Sequence, residues 1–223
     1  VIKAITRHRG AASLALLHLD GTNGSTTFTD VYGSTWTAGG AAAISTTQAK
    51  FGQSLGLGGS NDYISTTNNI FQPAGGDFTW ECFGYAMSVG GSKVLFSNQP
   101  PGGGNNGMIC FLNAGQLTIV ASNAGMTGSL VAQTAGATVT TGAWRHYAFV
   151  RHGNNFDAYL DGTSQFTVTA AGSIGGNVSG LAIGSASLSS SSSVWSGYID
   201  EARVSNLARY TANFTPPSAP FTF

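Results

Sequence analysis

Hydrolysis of a glycosidic bond usually needs paired carboxylates, and only nine acidic residues are available among 223. A retaining glycosidase holds two carboxyl groups about 5 Å apart, one as nucleophile and one as acid/base. On a strand such a pair stands at i and i+2 or i+4, because alternate side chains share a face. Glu81, in the run Phe78–Met87, has no second carboxylate at either spacing. Asp200 and Glu201 are adjacent, so a regular strand sends them to opposite faces. Glu81 is therefore not expected to be a catalyst, and the chain is not expected to be an enzyme. His8, His18, His146 and His152 show neither H-x-H nor H-E-x-x-H spacing, so zinc chemistry has no support. His18 and His146 sit among apolar residues and read as hydrogen-bonded core histidines. No G-x-S-x-G elbow marks a nucleophile. The stretch Gly102–Gly107 lacks the Lys and following helix of a phosphate loop.

Binding is the better-supported chemistry. Aromatic side chains give sugar rings a flat apolar face, and the chain has four Trp, seven Tyr and thirteen Phe. Tyr147, Phe149 and Tyr159 share the outward face of one hairpin, which makes them the candidate sugar-contacting residues. The competing reading, placed first, is that they pack beneath another strand or a neighbouring subunit.

That hairpin runs from Trp144 to Gly162. Read with period two, Trp144, His146, Ala148 and Val150 point one way, with Trp144 in the core, and Arg145, Tyr147, Phe149 and Arg151 point the other. His152–Asn155 is a turn, and Asp161-Gly162 opens a second one towards a strand carrying Phe166 and Val168. The first strand is apolar or aromatic on both faces, so it should be central and covered on both sides. Further strands are predicted at Leu14–Leu19, around 35–38, 42–45, 51–57 and 62–65, then at Phe78–Met87, 93–96, 108–112, 116–121, 181–184 and 194–204. Asn206–Thr211 reads as one helical turn. Strands at this spacing with Gly-rich turns predict an antiparallel β-sandwich.

Four segments carry a family resemblance: Leu14-Ala-Leu-Leu-His-Leu-Asp-Gly21, Asp77-Phe-Thr-Trp-Glu-Cys-Phe83, the hairpin Trp144–Gly162, and Gly197-Tyr-Ile-Asp-Glu-Ala-Arg-Val204. In this order they resemble a laminin-G-like, concanavalin A-like jelly-roll domain, covering most of residues 12–215. Hydrolases of that fold carry an E-x-D-x-E strand, of which this chain keeps only Glu81. The resemblance therefore implies a non-catalytic module. It also implies a structural calcium site near Asp20 and Asp200, since hard cations favour carboxylate and carbonyl oxygens. The stretch Ala208-Arg-Tyr-Thr-x-x-Phe-x-Pro-Pro217 is similar to modules of bacteriophage virion proteins. That likeness implies a capsid-decoration or tail protein on the virion surface, with other virion subunits and copies of itself as partners and host-surface glycans as targets. The alternative is a carbohydrate-binding module of a secreted bacterial protein.

Composition agrees with an all-β domain. Hydrophobic residues make up 42%, charged residues only 8%, and glycine contributes 32 positions. Nine basic and nine acidic residues cancel, so no field draws the chain to nucleic acid. No run reaches the ~18 apolar residues of a membrane helix, so no membrane partner is expected, and no secretory signal is read ahead of the domain. Cys82 and Cys110 fall in predicted strands and read as buried thiols. Three basic residues, Lys3, Arg7 and Arg9, mark residues 1–11 as an arm, and residues 216–223 as a Pro-rich extended tail. Lys3, Arg7, Arg9, Phe221 and Phe223 are expected to dock onto other subunits.

Overall fold

A computed structural model describes residues 13–100, 107–125, 128–175, 180–187 and 193–222. About half of the chain is strand and 2% is helix, in two antiparallel sheets that form a sandwich, as the sequence predicts. The first half contains β1 (Ser13–Leu17), β2 (Phe28–Thr29), β3 (Thr35–Gly39), β4 (Ala43–Ser45), β5 (Ser54–Gly58), β6 (Tyr63–Thr66), β7 (Phe78–Ala86) and β8 (Ser92–Ser97). The second contains β9 (Met108–Asn113), β10 (Gln116–Ser122), β11 (Ser129–Ala135), β12 (Trp144–His152), β13 (Asn155–Leu160), β14 (Thr163–Thr169), β15 (Leu181–Ile183) and β16 (Ser196–Ser205). The front sheet runs β14-β13-β12-β7-β16-β5-β4, with β1 also paired to β16. The back sheet runs β11-β10-β9-β8-β15-β6-β3-β2. Among the described residues no helix is long and apolar enough to cross a membrane.

One apolar cluster fills the space between the sheets. From the front sheet it takes Phe78, Trp80 and Cys82 of β7 and Tyr147 and Phe149 of β12; from the back sheet, Phe96, Cys110 and Ile119. Both cysteines are free and buried, and burial raises their thiols well above the ordinary value. β12 is central and covered on both sides, but its inward face is the opposite of the expected one. Tyr147 and Phe149 are fully buried between the sheets, while Trp144 is only half-buried on the outer face. The inward face also carries the two arginines that flank those aromatics. Each leaves the core at a strand end: Arg145 pairs with Asp161 at 2.7 Å, and Arg151 donates to the Ala74, Gly153 and Gly172 carbonyls.

The outer face of the front sheet is closed over much of its area by residues 206–222. They fold back as an irregular strap rather than as one helical turn followed by an extended tail that docks onto other subunits. Tyr210 and Phe214 stack at 3.5 Å and cover Ala148, Val150 and Tyr159. Phe221, 4% exposed, packs with Leu16 and Phe83. Phe214 donates its N–H to the Gly162 carbonyl, and any Cβ at Gly162 (φ +75°) would collide with the Phe214 carbonyl. Phe221 thus docks on its own sandwich, contrary to the expected contact with another subunit. Lys3, Arg7, Arg9 and Phe223 lie outside the described residues.

Candidate functional site

Beyond the strap, the outer face of the front sheet stays open, and the strand register gathers aromatics there. Trp144 of β12 is paired with Tyr85 of β7, and Tyr85 with Tyr198 of β16. Period-two alternation puts all three outward, because their neighbours Ala86 and Ile199 enter the core. The ring centroids lie 5.7 Å apart for Tyr85–Trp144 and 6.1 Å for Tyr85–Tyr198, at interplanar angles of 60° and 69°. All three side chains are half-buried. The register continues to Gly56 of β5 and Ala43 of β4, so the row falls away from Tyr198 to a floor of small residues. Met87, 60% exposed, is the one large exposed hydrophobic among the described residues and lies beside Tyr198. Gly197 holds β16 close to β7 here: at φ +135° its absent Cβ would strike the Tyr85 carbonyl.

Two hollows flank this row. One, of about 450 Å³, lies over Ala43, Gly56 and Tyr198; the other, of about 370 Å³, lies between Tyr85, Thr47, Gln48 and Thr141. A third, of about 380 Å³, opens at the other end of the sandwich over Phe71, Phe78 and Trp80. Those three rings are each 1% exposed, so their faces are already committed to the core. Of the three hollows, only the two beside the open row are lined by half-exposed aromatic rings.

The residues picked from the sequence lie elsewhere. Tyr147 and Phe149 are enclosed between the sheets, and Tyr159, 2% exposed, lies under Tyr210 and Phe214. None of the three can stack on a sugar. The packing alternative holds for each.

Glu81 sits at the centre of the strap's anchor. Its Oε1 takes bonds from Arg203 Nε at 2.9 Å and Nη2 at 2.8 Å; its Oε2 faces His146 Nε2 at 3.2 Å and accepts from the Tyr210 hydroxyl at 2.8 Å. Burial works to raise this carboxyl, but the His146 hydrogen bond, the Arg203 charge and the Tyr210 bond outweigh it and hold it below the ordinary value. The same environment pushes the Tyr210 hydroxyl up. A carboxylate enclosed by three side chains anchors; it has no face left for a substrate. His146 fits its expected place as a bonded core histidine, and His18 Nδ1 meets Glu201 Oε1 at 2.8 Å.

Asp200 and Glu201 depart from simple alternation. A bulge in β16 sets Glu201 at φ +52° and shifts the register between Asp200 and Arg203. Both carboxylates then reach the outer side: Asp200 Oδ2 accepts from Lys50 N at 2.9 Å and Phe51 N at 2.8 Å, and Glu201 Oε2 from Phe221 N at 2.7 Å. Asp20 Oδ1 accepts from Gln53 N at 2.7 Å. Asp20 and Asp200 thus clamp one loop, residues 50–53, by its backbone amides. Among the described residues no three His, Cys, Asp or Glu side chains gather in one place. The two carboxylates for which the family resemblance implied calcium thus each have one oxygen already taken by backbone amides. Burial pushes the Asp200 carboxyl up to about 7, against the lowering effect of the Phe51 and Lys50 amides. Its second oxygen, Oδ1, is buried without a hydrogen-bond partner.

Comparison with solved structures finds the same sandwich in proteins of low identity. Domain 4 of an extracellular arabinanase from Geobacillus stearothermophilus, in complex with arabinotriose, matches with a TM-score of 0.65 at 17% identity, covering 89% of this chain and 95% of that one. The binding domain of Paraclostridial mosquitocidal protein 1 gives 0.67 at 15%, over 90% and 50%. The binding domain of botulinum neurotoxin serotype G gives 0.64 at 10%, over 89% and 48%. The chain therefore spans about half the length of those two toxin domains. A Trypanosoma rangeli sialidase also contains the fold, at 0.62 and 13%, over 90% and 32%. No curated protein matches in sequence. A family model described as the concanavalin A-like lectin/glucanases superfamily covers residues 57–213, from the floor strand β5 to the strap over Tyr159. On that match, and on the two-sheet architecture around it, the chain belongs to the concanavalin A-like lectin/glucanases superfamily.

Proposed function

We propose that this domain is a non-catalytic glycan-binding module whose contact surface is the row Trp144–Tyr85–Tyr198. The observation that carries this reading is the register: three half-exposed aromatics from strands far apart in sequence stand side by side on a part of the outer face that the strap leaves uncovered. Sugar rings stack their apolar C–H faces on such side chains, while neighbouring amides and hydroxyls bond the ring oxygens. Gln48, Thr47 and Thr141 supply those groups around the second hollow. The arabinotriose complex of a similarly folded domain supports sugar as the ligand class. No catalytic step is assigned, because Glu81 is enclosed by Arg203, His146 and Tyr210.

The setting we propose is the surface of a phage particle, where the module would assist adhesion to host glycans among other virion subunits. The likeness of Ala208–Pro217 to virion modules supports it. Likeness to a domain of an extracellular arabinanase favours a second setting, as a carbohydrate-binding module of a secreted bacterial protein.

Native gels cast with soluble arabinan, galactan, xylan or bacterial cell-wall polysaccharide test the ligand class. At least one polymer should retard the protein, and Tyr85→Ala or Tyr198→Ala should restore free mobility with thermal melting preserved. No retardation by any polymer would refute the reading.

A further inference from the structure

The class of glycan can be drawn from the charge and shape of the same surface, and this step rests on the glycan-binding reading above. Tyr198 and Met87 line both hollows, which makes them one trough crossed by a low ridge. Gly56 floors the first half. It does not lie in the left-handed region, so its missing side chain provides space rather than backbone freedom. A Cβ there would lie 3.2 Å from Ser45 Cβ and 3.7 Å from Tyr198 Cε1, narrowing the trough at its floor.

Charge is nearly absent from this surface. Among the described residues lining the two hollows, only Asp62 is ionisable to a carboxylate, and its oxygens accept from Ala41 N at 2.6 Å and Gly58 N at 2.7 Å. No lysine or arginine lines either hollow. Lys50, on the nearby loop, lays its ammonium 5.2 Å from the Phe83 ring centre and 5.5 Å from that of Phe51 instead. A uronic acid, sialic acid or sulfate placed here would lose water without gaining a cation. The rings are also tilted by 60° and 69° to one another, which offers no common plane to a crystalline polysaccharide. A single chain can turn from ring to ring; a crystal face cannot.

We propose that the trough binds an uncharged, soluble glycan chain at least two sugar rings long, one ring on each side of the Tyr198–Met87 ridge, with Gly56 setting the width of the first subsite.

The test uses the whole chain in native gels with arabinan and xylan as neutral polymers and polygalacturonate and heparin as acidic ones, alongside a pull-down on microcrystalline cellulose. Neutral polymers should retard the protein and the other probes should not. Gly56→Val should weaken neutral binding by about tenfold or more, as loss of one stacked ring would. Should Gly56→Val fail to fold, Gln48→Lys on the rim gives an independent readout: it should add retardation by heparin that the parent lacks. Arabinotriose should compete far better than arabinose. Retardation by acidic polymers alone, capture by cellulose alone, or equal competition by the monosaccharide would each overturn this inference while leaving the glycan-binding reading standing. Retardation by no polymer at all would remove that reading, and this inference with it.

Discussion

The outer face of the front sheet carries two aromatic regions built from the same strands, one covered and one open. In the covered region Tyr159, Phe83 and Leu16 lie beneath Tyr210, Phe214 and Phe221, and the charged groups there are tied to one another. In the open region Trp144, Tyr85 and Tyr198 keep part of their rings in water and no ion pair ties them down. Trp144 borders both: it packs against the Phe221 cluster and meets Tyr85 edge-on. The strap therefore does two things at once. It completes a second small core, and by stopping short it leaves one aromatic strip uncovered. Aromatic content alone does not separate the two regions; the reach of the strap does.

Removing the charge that anchors the strap should break the covered region most severely. Glu81→Ala leaves Arg203, buried and beside Phe221, without its carboxylate. Breaking such a buried pair from one side costs roughly 3–5 kcal/mol. Urea unfolding should show that loss, and a change under about 1 kcal/mol would mean that the strap is held by its aromatics alone. Truncating one of those aromatics comes next: Phe221→Ala should cost about 1.5–3 kcal/mol, the usual worth of a fully buried large apolar side chain. Tyr198→Ala in the open region should stay within about 0.5 kcal/mol, since surface changes usually do.

A dependence on pH separates the clamp under the open region from both. The Asp200 carboxyl stands at about 7 in the folded chain against an ordinary 3.8. Between those values the folded state keeps a proton that the unfolded chain has released. The group's contribution to stability is therefore full below the unfolded value and is lost as pH rises towards the folded one. Asp200→Asn keeps an oxygen for the Lys50 and Phe51 amides and should flatten that decline. Melting followed from about pH 4 to about pH 8 reads it; parallel curves for both proteins would show Asp200 ionised throughout. The smallest effect expected is that of calcium. With Asp20 and Asp200 engaged by amides, melting should not move between added calcium and chelator, whereas a rise that follows calcium concentration would reveal a site bound in the folded state.

The sandwich was legible because alternation is local. The run Phe78–Met87 predicts β7, found at Phe78–Ala86, and 108–112 predicts β9, found at Met108–Asn113. β11 (Ser129–Ala135) gave no such signal, since an edge strand of small and polar residues has only Val131 to bury. The inward face of β12 was not legible, because both faces are apolar and only the fold says that the strap, rather than the other sheet, covers Ala148 and Val150. The bulge at Glu201 depends on register against β7, which no single strand reveals. For the same reason the row Trp144–Tyr85–Tyr198 is not legible in the sequence: each residue reads alone as an ordinary strand position. Tyr210, Phe214 and Phe221 have no period, so nothing in their spacing announces a segment that folds back.

The contrast between the two regions is tested most directly by comparing Tyr198→Ala with Tyr210→Ala, each assayed for melting temperature and for retardation in a gel containing a soluble polysaccharide that retards the parent protein. Tyr198→Ala should melt with the parent and run unretarded; Tyr210→Ala should melt lower and remain retarded below its transition. If Tyr198→Ala keeps full retardation while Tyr210→Ala loses it, the binding surface lies at the strap and the account is wrong.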